Sequence, residues 1–354
     1  MIEIITNKIQ NNQRINKEEA LFLLNGSDLL LAGDLAGQVK QRFHEELVTF
    51  VIDRNINYTN ICTTKCKFCA FYREADSPEA YSLTHDEVLE KVAETVSLDG
   101  TQLMLQGGLN PELGLDYYLD LLKMIKSKFG DIQIHSFSPP EIVFFSKKFG
   151  LSISEALKLL NEAGLDSLPG GGAEILVDEV RRKISPGKIP SRLWLEVMRE
   201  AHLLGMKSTA TMMFGSIEGY EDRLEHLDKI RSLQDETGGF TAFIPWTFQS
   251  GHTQLGGGET SAVDYLKTLA VSRIYLDNVK NIQASWVTQG AKIGQLALAF
   301  GANDLGSTMI EENVVAATGV SYSMSKEEIV KLIKNAGFKA AQRTTLYDII
   351  ENFN

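Results

Sequence analysis

The chain has 354 residues and a net charge of −11, with 44% hydrophobic and 23% charged residues. These are values of a globular protein that buries a large core, and the acidic balance argues against a nucleic-acid or anionic-membrane partner, because binding phosphates needs clustered lysine and arginine. No apolar run approaches the ~18 residues of a membrane span, and no signal-peptide pattern is recognised, so we expect a cytoplasmic protein.

The spacing of apolar residues changes near residue 48. Before this point, leucine and alanine recur at helical spacing, and after it short apolar runs alternate with amphipathic segments. The predicted strands are Phe50–Asn57, Gln102–Leu105, Ile132–Phe137, Ser167–Pro169, Ser208–Met213, Gly239–Pro245, Ile282–Trp286 and Ala297–Gly301. The predicted helices are Thr84–Ser97, Tyr117–Lys128, Ile153–Ala163, Arg192–Leu204, Glu221–Gln234, Val263–Asp277 and Thr288–Leu296.

This regular alternation is typical of an α/β protein built as a (β/α)8 TIM-type barrel, with a doubly wound open sheet as the alternative. We predict an N-terminal helical extension over residues 1–47, the barrel over residues 48–307, and a C-terminal helical tail over residues 308–354 that packs on the barrel. The loops that follow barrel strands lie on one face, where active sites are built.

All three cysteines of the chain, Cys62, Cys66 and Cys69, lie in the loop after the first predicted strand. An odd, clustered set does not form a disulfide framework and indicates metal or redox chemistry. The loop is too short to present the thiolates to separate partners. Three ligands leave one iron of a [4Fe–4S] cube open, whereas a closed electron-transfer cluster uses four cysteines. S-adenosylmethionine (SAM) can chelate the open iron through its amino and carboxylate groups.

Other interpretations of the cysteines are a Cys3His zinc site, with His85 or His135 as the fourth ligand, and three structural thiols. A non-catalytic iron–sulfur electron-transfer protein is a further alternative. The C-x3-C-x2-C spacing after a strand, with an aromatic residue before the last cysteine, favours the open cluster.

The segment Asn57–Arg73 resembles the radical SAM superfamily, and the resemblance covers the chain from about residue 48 onward. It implies that the cofactors are a [4Fe–4S] cluster and SAM. In this family Phe68 would border the adenine, and the turn Gln106-Gly107-Gly108 would receive the SAM amino group, since glycine allows close backbone approach. A simple tight turn is the alternative for the two glycines.

Two charged residues carry further expectations about SAM. Glu174 would accept hydrogen bonds from the ribose hydroxyls, with a carboxylate at a helix N-terminus as the alternative. Arg181 would pair with the SAM carboxylate, because a guanidinium fork matches a carboxylate. A solvated helix face is the alternative for Arg181.

Within the superfamily, Asn57–Cys62 and Cys69–Arg73 resemble a branch with cyclic dehypoxanthinyl futalosine synthases, aminofutalosine synthases and the radical SAM half of deazaflavin synthases. Phe240–Gln249 resembles the first of these, while Ser250–Thr253 departs from its pattern. The resemblance implies a cyclase of menaquinone biosynthesis. The deoxyadenosyl radical would remove a hydrogen from the ribose of dehypoxanthinyl futalosine, and the carbon radical would add to the benzoate ring. A reductant such as flavodoxin or ferredoxin would supply the electron.

Substrate contacts and a proton acceptor complete the expected site. The expected substrate contacts are Tyr72, Trp246 and Gln249, with a core aromatic as the alternative for Trp246. Ring closure ends with the loss of one electron and one proton, so a base near the ring would help. The candidate acceptors are His135 and Asp304, with Glu218 as a further acid near a strand end. Histidine has the better unperturbed pKa for this role, and Asp304 would need burial to raise its pKa.

Overall fold

The computed structural model describes residues 1–26 and 28–353. Three helices come first: α1 (Ile2–Gln10), α2 (Lys17–Asn25) and α3 (Leu29–His44). A capping box starts α2, because Asn16 and Glu19 each accept a hydrogen bond from the other's backbone N–H. Helices α2 and α3 pack on the helices at residues 220–237 and 262–275, so they cover the outside of the domain that follows.

Parallel strands then form a closed ring. They are β1 (Leu47–Val51), β2 (Asp53–Ile56), β3 (Gln102–Leu105), β4 (Gln133–Ile134), β5 (Ser167–Leu168), β6 (Lys207–Phe214), β7 (Phe240–Thr247), β8 (Asn281–Ile282) and β9 (Asp304–Ser307). β1 and β2 are two halves of one bent strand, so the ring has eight strands within the described residues. β1 pairs with β9 and β2 with β3. Single bridges link β4 to β5 and β8 to β9. The fold is a (β/α)8 TIM-type barrel.

Helices connect the strands on the outside of the ring. They are α4 (His85–Ser97), α5 (Leu115–Lys128), α6 (Pro139–Phe149), α7 (Ile153–Ala163), α8 (Asp178–Ile184), α9 (Ser191–Leu203), α10 (Tyr220–Thr237), α11 (Ala262–Tyr275) and α12 (Trp286–Ala297). Helices α6 and α8 are absent from the sequence prediction. The signal for α6 is the capping box of Ser138 and Glu141 with prolines at its first positions. Of the helices in the described residues, none is long and apolar enough to cross a membrane.

The last barrel strand lies later in the chain than predicted. Residues 297–301 form the end of α12 and a 3-10 turn (Leu298–Phe300), which stops at Gly301 with a φ of 99°. The strand is Asp304–Ser307. The prediction of Ala297–Gly301 as a strand is wrong, because a short apolar run fits a buried helix end as well as a strand.

We predicted a C-terminal tail made of helices, but this region also contains two strands. After α13 (Lys326–Asn335) the chain forms β10 (Lys339–Arg343) and β11 (Ile349–Phe353). β10 lies parallel to β1, and β11 returns antiparallel to β10. The run Lys-Ala-Ala-Gln-Arg has little strand propensity of its own, so pairing with β1, almost 300 residues away, makes it a strand.

A buried ion pair holds this hairpin against the barrel. Arg343 donates from Nε and Nη2 to the Asp304 carboxylate at 2.6 and 2.9 Å. Thr49 donates its hydroxyl to the same carboxylate. Asp304 therefore joins three neighbouring strands, β1, β9 and β10.

We expect Arg343→Met to lower the free energy of unfolding by ~3–5 kcal/mol, because it leaves the Asp304 charge buried without a partner. Urea denaturation followed by circular dichroism measures the effect. The control is Lys339→Met on the same strand, whose exposed ion pair with Glu46 contributes at most ~1 kcal/mol. Equal, small effects of the two substitutions would show that the hairpin is held by other contacts.

Candidate active site

The three cysteine thiols line one cavity on the face where the barrel strands end. Their loop is closed by backbone hydrogen bonds: the Cys62 N–H donates to the Arg73 carbonyl at 3.1 Å, and the Arg73 N–H donates to Asn60 at 2.8 Å. The Cys69 N–H donates to the Cys66 carbonyl at 3.1 Å, which tightens the turn between these two residues. The loop thus keeps its shape without any bond between the thiols, which are free.

The three thiols are not placed around a single metal ion. Across the described residues, no three His, Cys, Asp or Glu side chains are placed to ligate one ion. In a [4Fe–4S] cube each thiolate binds a different iron, so such a cluster does not require three thiols that converge on one point. No histidine in the described residues lines this cavity. His85 instead contacts the Tyr117 carbonyl at 3.0 Å, and His135 lies in another cavity. The Cys3His zinc alternative therefore lacks a fourth ligand.

The glycine turn after β3 lies in the same cavity, together with Phe68. A Cβ on Gly107 would come within 2.4 Å of the Tyr58 ring, and one on Gly108 within 2.1 Å of the Ile61 carbonyl oxygen. Only glycine allows the turn to approach the cysteine loop this closely. The glycines therefore bring the turn and the cysteine loop together in one cavity, as the predicted SAM contact requires.

Glu174 lies between this cavity and a second one and lines both. Its φ of 40° is unusual for a residue other than glycine. Oε1 accepts a hydrogen bond from Lys188 Nζ at 2.7 Å, whereas Oε2 is buried and has no hydrogen-bond partner. Arg181 Nη1 lies 3.6 Å from Oε2, too far for a hydrogen bond. A buried carboxylate oxygen without a hydrogen bond is costly, so the position fits a ligand that donates hydroxyl groups, as a ribose does.

Arg181 does not take the predicted position. It lines neither cavity, and its guanidinium donates to the backbone carbonyls of Gly172, Ala173 and Ile189. It holds the loop that carries Glu174 and also forms an ion pair with Glu174 Oε2 at 3.6 Å, so the structure does not support the prediction that Arg181 binds the SAM carboxylate.

Lys188 is the cation that lines the cysteine cavity instead. Its Nζ lies 5.1 Å from the centre of the Phe68 ring. Burial lowers the pKa of Lys188, but the charges of Glu174 and Cys66 raise it further, so the net pKa lies above its usual value. Lys188 therefore places a fixed positive charge beside the thiols.

The second cavity is the barrel lumen, which encloses about 260 Å³. This is room for an organic ligand and not only for a few waters. It adjoins the cysteine cavity, because both are lined by Gln106, Gly171, Gly172, Glu174, Trp246 and Val314. Trp246, at the end of β7, therefore stands where the two spaces meet, as a predicted substrate contact should.

Two other predicted substrate contacts lie elsewhere. Gln249 lines neither cavity, and its amide donates to the hydroxyl and carbonyl of Thr247 at 3.0 and 3.2 Å. The prediction that Gln249 faces the substrate pocket is therefore wrong. Tyr72 lines the cysteine cavity and not the lumen, and its hydroxyl accepts a hydrogen bond from Gln254 at 3.1 Å.

The predicted proton acceptors are also poorly placed for that role. Asp304 is fully buried in its ion pair with Arg343 and does not line the lumen. His135 does line the lumen, but its Nδ1 contacts the Ser167 hydroxyl at 2.7 Å. Burial and the charge of Arg343 lower the pKa of His135 to about 3, which makes it a weak proton acceptor. Glu218 caps backbone N–H groups of the loop after β6 and lines neither cavity.

Several lumen and cavity residues were missed from the sequence, namely Asp53, Lys188, Arg343, Thr345 and Tyr347. Only Asp53 had a local signal, an acid inside a predicted buried strand. The other four line these cavities because of contacts between distant parts of the chain, which a local sequence pattern does not predict.

Comparison with known families covers nearly the whole chain. Residues 56–230 match the radical SAM superfamily, and residues 237–354 match the CofH/MqnC C-terminal region. A protein of Halalkalibacterium halodurans named cyclic dehypoxanthine futalosine synthase is 46% identical over 99% of this chain and 96% of its own. One of Streptomyces coelicolor with the same name is 44% identical over 95% and 85%.

Archaeal relatives with another name are almost as similar. A protein of Methanopyrus kandleri named 5-amino-6-(D-ribitylamino)uracil–L-tyrosine 4-hydroxyphenyl transferase is 42% identical over 89% of this chain and 88% of its own. Among solved structures, methylornithine synthase superposes with a TM-score of 0.75 over 95% of this chain and 97% of its own at 20% identity. This likeness shows a shared fold.

We expect Cys62→Ala, Cys66→Ala and Cys69→Ala each to lose iron, sulfide and SAM cleavage, because each removes one of only three thiolate ligands. The measurements are iron and sulfide content, visible absorbance, and 5′-deoxyadenosine formed after anaerobic reconstitution. Lys67→Ala is the matched control, since this exposed side chain lies in the same loop. Zinc in place of iron, or full activity of any cysteine variant, would refute the cluster assignment.

Proposed function

The chain belongs to the radical SAM superfamily, and we propose that it is the cyclase that converts dehypoxanthinyl futalosine to cyclic dehypoxanthinyl futalosine in menaquinone biosynthesis. It is an enzyme whose cofactors are a [4Fe–4S] cluster and SAM. The observation that carries the proposal is the similarity, over nearly the full length, to two bacterial relatives of that name. An external one-electron donor such as flavodoxin or ferredoxin completes the system.

In this proposal the cysteine cavity binds the cofactors and the lumen binds the substrate. The residues that would hold the cofactors are Cys62, Cys66, Cys69, Phe68, Gln106, Gly107, Gly108, Glu174 and Lys188. When bound, the cofactors supply a carbon radical that removes one hydrogen atom from the substrate ribose. The lumen holds the rest of the substrate and shields the substrate radical from water.

The geometry supports a reaction within a single molecule. The lumen adjoins the cysteine cavity at Glu174 and Trp246. We place the ribose of the substrate at this junction and its aromatic ring in the lumen. Both reacting parts then lie beside the Trp246 ring. The ribose radical would add to the benzoate ring, and the product would then form by loss of one proton to solvent and of one electron to a one-electron acceptor, a role open to the oxidised cluster. Holding the two parts together replaces a bimolecular encounter.

A second candidate is the reaction named for the archaeal relatives, a 4-hydroxyphenyl transfer involving tyrosine and a ribitylaminouracil. A third is the addition of the radical to an olefin, as in aminofutalosine synthases. All three use the same scaffold, so the substrate and not the fold distinguishes them. A non-catalytic iron–sulfur protein would cleave no SAM productively with any of these substrates.

The decisive assay supplies the reconstituted enzyme, under anaerobic conditions, with SAM, reductant and each candidate substrate separately. We expect dehypoxanthinyl futalosine alone to give a product lighter by two hydrogen atoms, detected by mass spectrometry, together with 5′-deoxyadenosine. Deuterium on the abstracted ribose position should appear in the 5′-deoxyadenosine. Turnover of tyrosine with the ribitylaminouracil, and none of dehypoxanthinyl futalosine, would overturn the proposal in favour of the archaeal reaction.

His135→Gln should lower product formation far less than the ~10²–10⁴-fold that loss of a general base costs. The reason is that the imidazole is buried, neutral and bonded to neighbouring hydroxyls. Trp246→Ala is the contrasting variant and should reduce product much more than SAM binding, because it removes the wall shared by the two cavities. The measurement is the ratio of cyclised product to 5′-deoxyadenosine. Uncyclised by-products accumulating in His135→Gln would restore His135 as the base.

A further inference from the structure

The turn between β10 and β11 sends three side chains to the lumen, namely Arg343, Thr345 and Tyr347, which we call the polar turn. None of the three lines the cysteine cavity. The polar turn therefore belongs to the part of the lumen away from the junction at Trp246, where the far end of a bound molecule would lie.

The polar turn holds hydrogen-bonding groups that the protein does not use. The Thr345 and Tyr347 hydroxyl oxygens are buried and have no partner among the described residues. Three N–H groups of Arg343 donate hydrogen bonds, two to the Asp304 carboxylate and one to the Thr344 carbonyl at 3.0 Å. A guanidinium has five, so two N–H groups remain. Buried donors without partners are costly, and the three residues that carry these donors all line the lumen, which points to a ligand there.

The backbone of the turn is held in a strained conformation that directs these groups. Tyr347 has a φ of 73°, a region that residues other than glycine rarely adopt. Hydrogen bonds between Thr344 and the backbone of Tyr347 and Asp348 fix this conformation. The Tyr347 ring lies 3.9 Å from the Arg343 guanidinium carbon, so each side chain orients the other. Strain of this kind persists where the surroundings over-determine it, often at ligand sites.

One acid of the lumen is electrostatically coupled to the polar turn. Asp53 accepts hydrogen bonds from Ser307 and from Gln102, the latter at 2.5 Å. Burial raises the pKa of Asp53 to about 6, with Arg343 lowering it and Asp304 raising it. Among the described residues that line the lumen, Arg343 is the only Lys or Arg, and it is ion-paired with Asp304. The other titratable groups that line the lumen are His135, Glu312, Glu174 and Tyr347. Burial lowers the pKa of His135 to about 3 and raises the pKa values of Glu312 and Tyr347, and Glu174 is ion-paired with Lys188.

We propose that the polar turn binds the carboxylate of an aromatic acid, and that Asp53 takes up one proton when this carboxylate binds. The proton goes from solvent to Asp53, and no covalent bond of the ligand changes. The ligand's charge then replaces that of Asp53, so the net buried charge around Arg343 is the same before and after binding. Naming the ligand as the benzoate end of the substrate rests on the proposed function.

The chemistry favours a carboxylate over other groups. Two guanidinium N–H groups and two hydroxyls supply donors for the two oxygens of one planar anion. A phosphate would bring a second negative charge, and Asp53 offers only one site for a compensating proton. A neutral ester or amide would gain no charge-assisted hydrogen bond and would give no reason for proton uptake.

Titration calorimetry on the cluster-loaded enzyme, with SAM bound and no reductant, tests the proposal. The probes are benzoate, dehypoxanthinyl futalosine and its methyl ester. We expect Kd for the acids to rise ~tenfold per pH unit above about pH 6, where Asp53 is ionised and must first be protonated. Buffers of different ionisation enthalpy should reveal uptake of about one proton per acid bound at pH 7.5. The ester should bind without pH dependence.

Variants separate binding from folding. Tyr347→Phe and Thr345→Val remove hydroxyls that have no partner in the protein, so the melting temperature should not fall, while Kd for the acids should rise ~tenfold or more. Asp53→Asn should abolish both the pH dependence and the proton uptake. Tyr322→Phe is the control, since this residue lies outside the lumen. Equal binding of acid and ester, or acid binding without proton uptake in the wild type, would overturn the proposal.

The outcomes also separate this inference from the proposed function. If the acids bind with proton uptake but no cyclised product forms, the carboxylate site stands and the cyclase assignment fails. If cyclised product forms and the ester is processed as well as the acid, the cyclase assignment stands and the carboxylate site fails.

Discussion

The carboxylate of Asp304 is the contact on which the closed barrel and its lumen both depend. It accepts hydrogen bonds from Thr49 on β1, from Arg343 on β10 and from the Gly306 backbone on its own strand. The first and last barrel strands meet here, and the hairpin joins them at the same point. A charge buried this deeply is tolerable only because Arg343 is beside it. The side chain of Arg343 thereby lies at the lumen wall.

A second carboxylate, Glu174, organises the junction between the two cavities. Arg181 fixes the loop through backbone carbonyls, and Lys188 balances the charge of Glu174 from the side of the thiols. The remaining oxygen of Glu174 is buried without a hydrogen bond and lies 3.6 Å from the Arg181 guanidinium. Both cations of this region are therefore ion-paired with Glu174: Arg181 also holds the loop, and Lys188 also lies beside the thiols.

Local patterns in the sequence predicted much of this molecule. The alternation of strands and helices predicted the barrel, and the cysteine spacing predicted a single site for three thiols that do line one cavity. Trp246, near the end of β7, lines both cavities, and its contact with substrate stays a prediction. Predictions failed where the position of a residue depends on the pairing of strands that are far apart in the sequence. β10 is a strand because of β1, and Arg343 and Tyr347 reach the lumen only through that pairing. Arg181 and Gln249 were misplaced because their chemical type suggested ligands, while their hydrogen bonds are made within their own loops.

The position of the polar turn has a consequence for how such enzymes diverge. The cysteine loop and glycine turn lie before residue 110, whereas the turn that closes the far part of the lumen lies at residues 343–347. Substitutions in that short hairpin can alter which molecule is held without touching the apparatus that forms the radical. Relatives of nearly equal overall identity bear different reaction names, and if the polar turn binds the substrate, differences in this hairpin would be enough to separate them. In transferring a reaction from one relative to another, agreement at a few hairpin residues then carries more information than identity averaged over the whole chain.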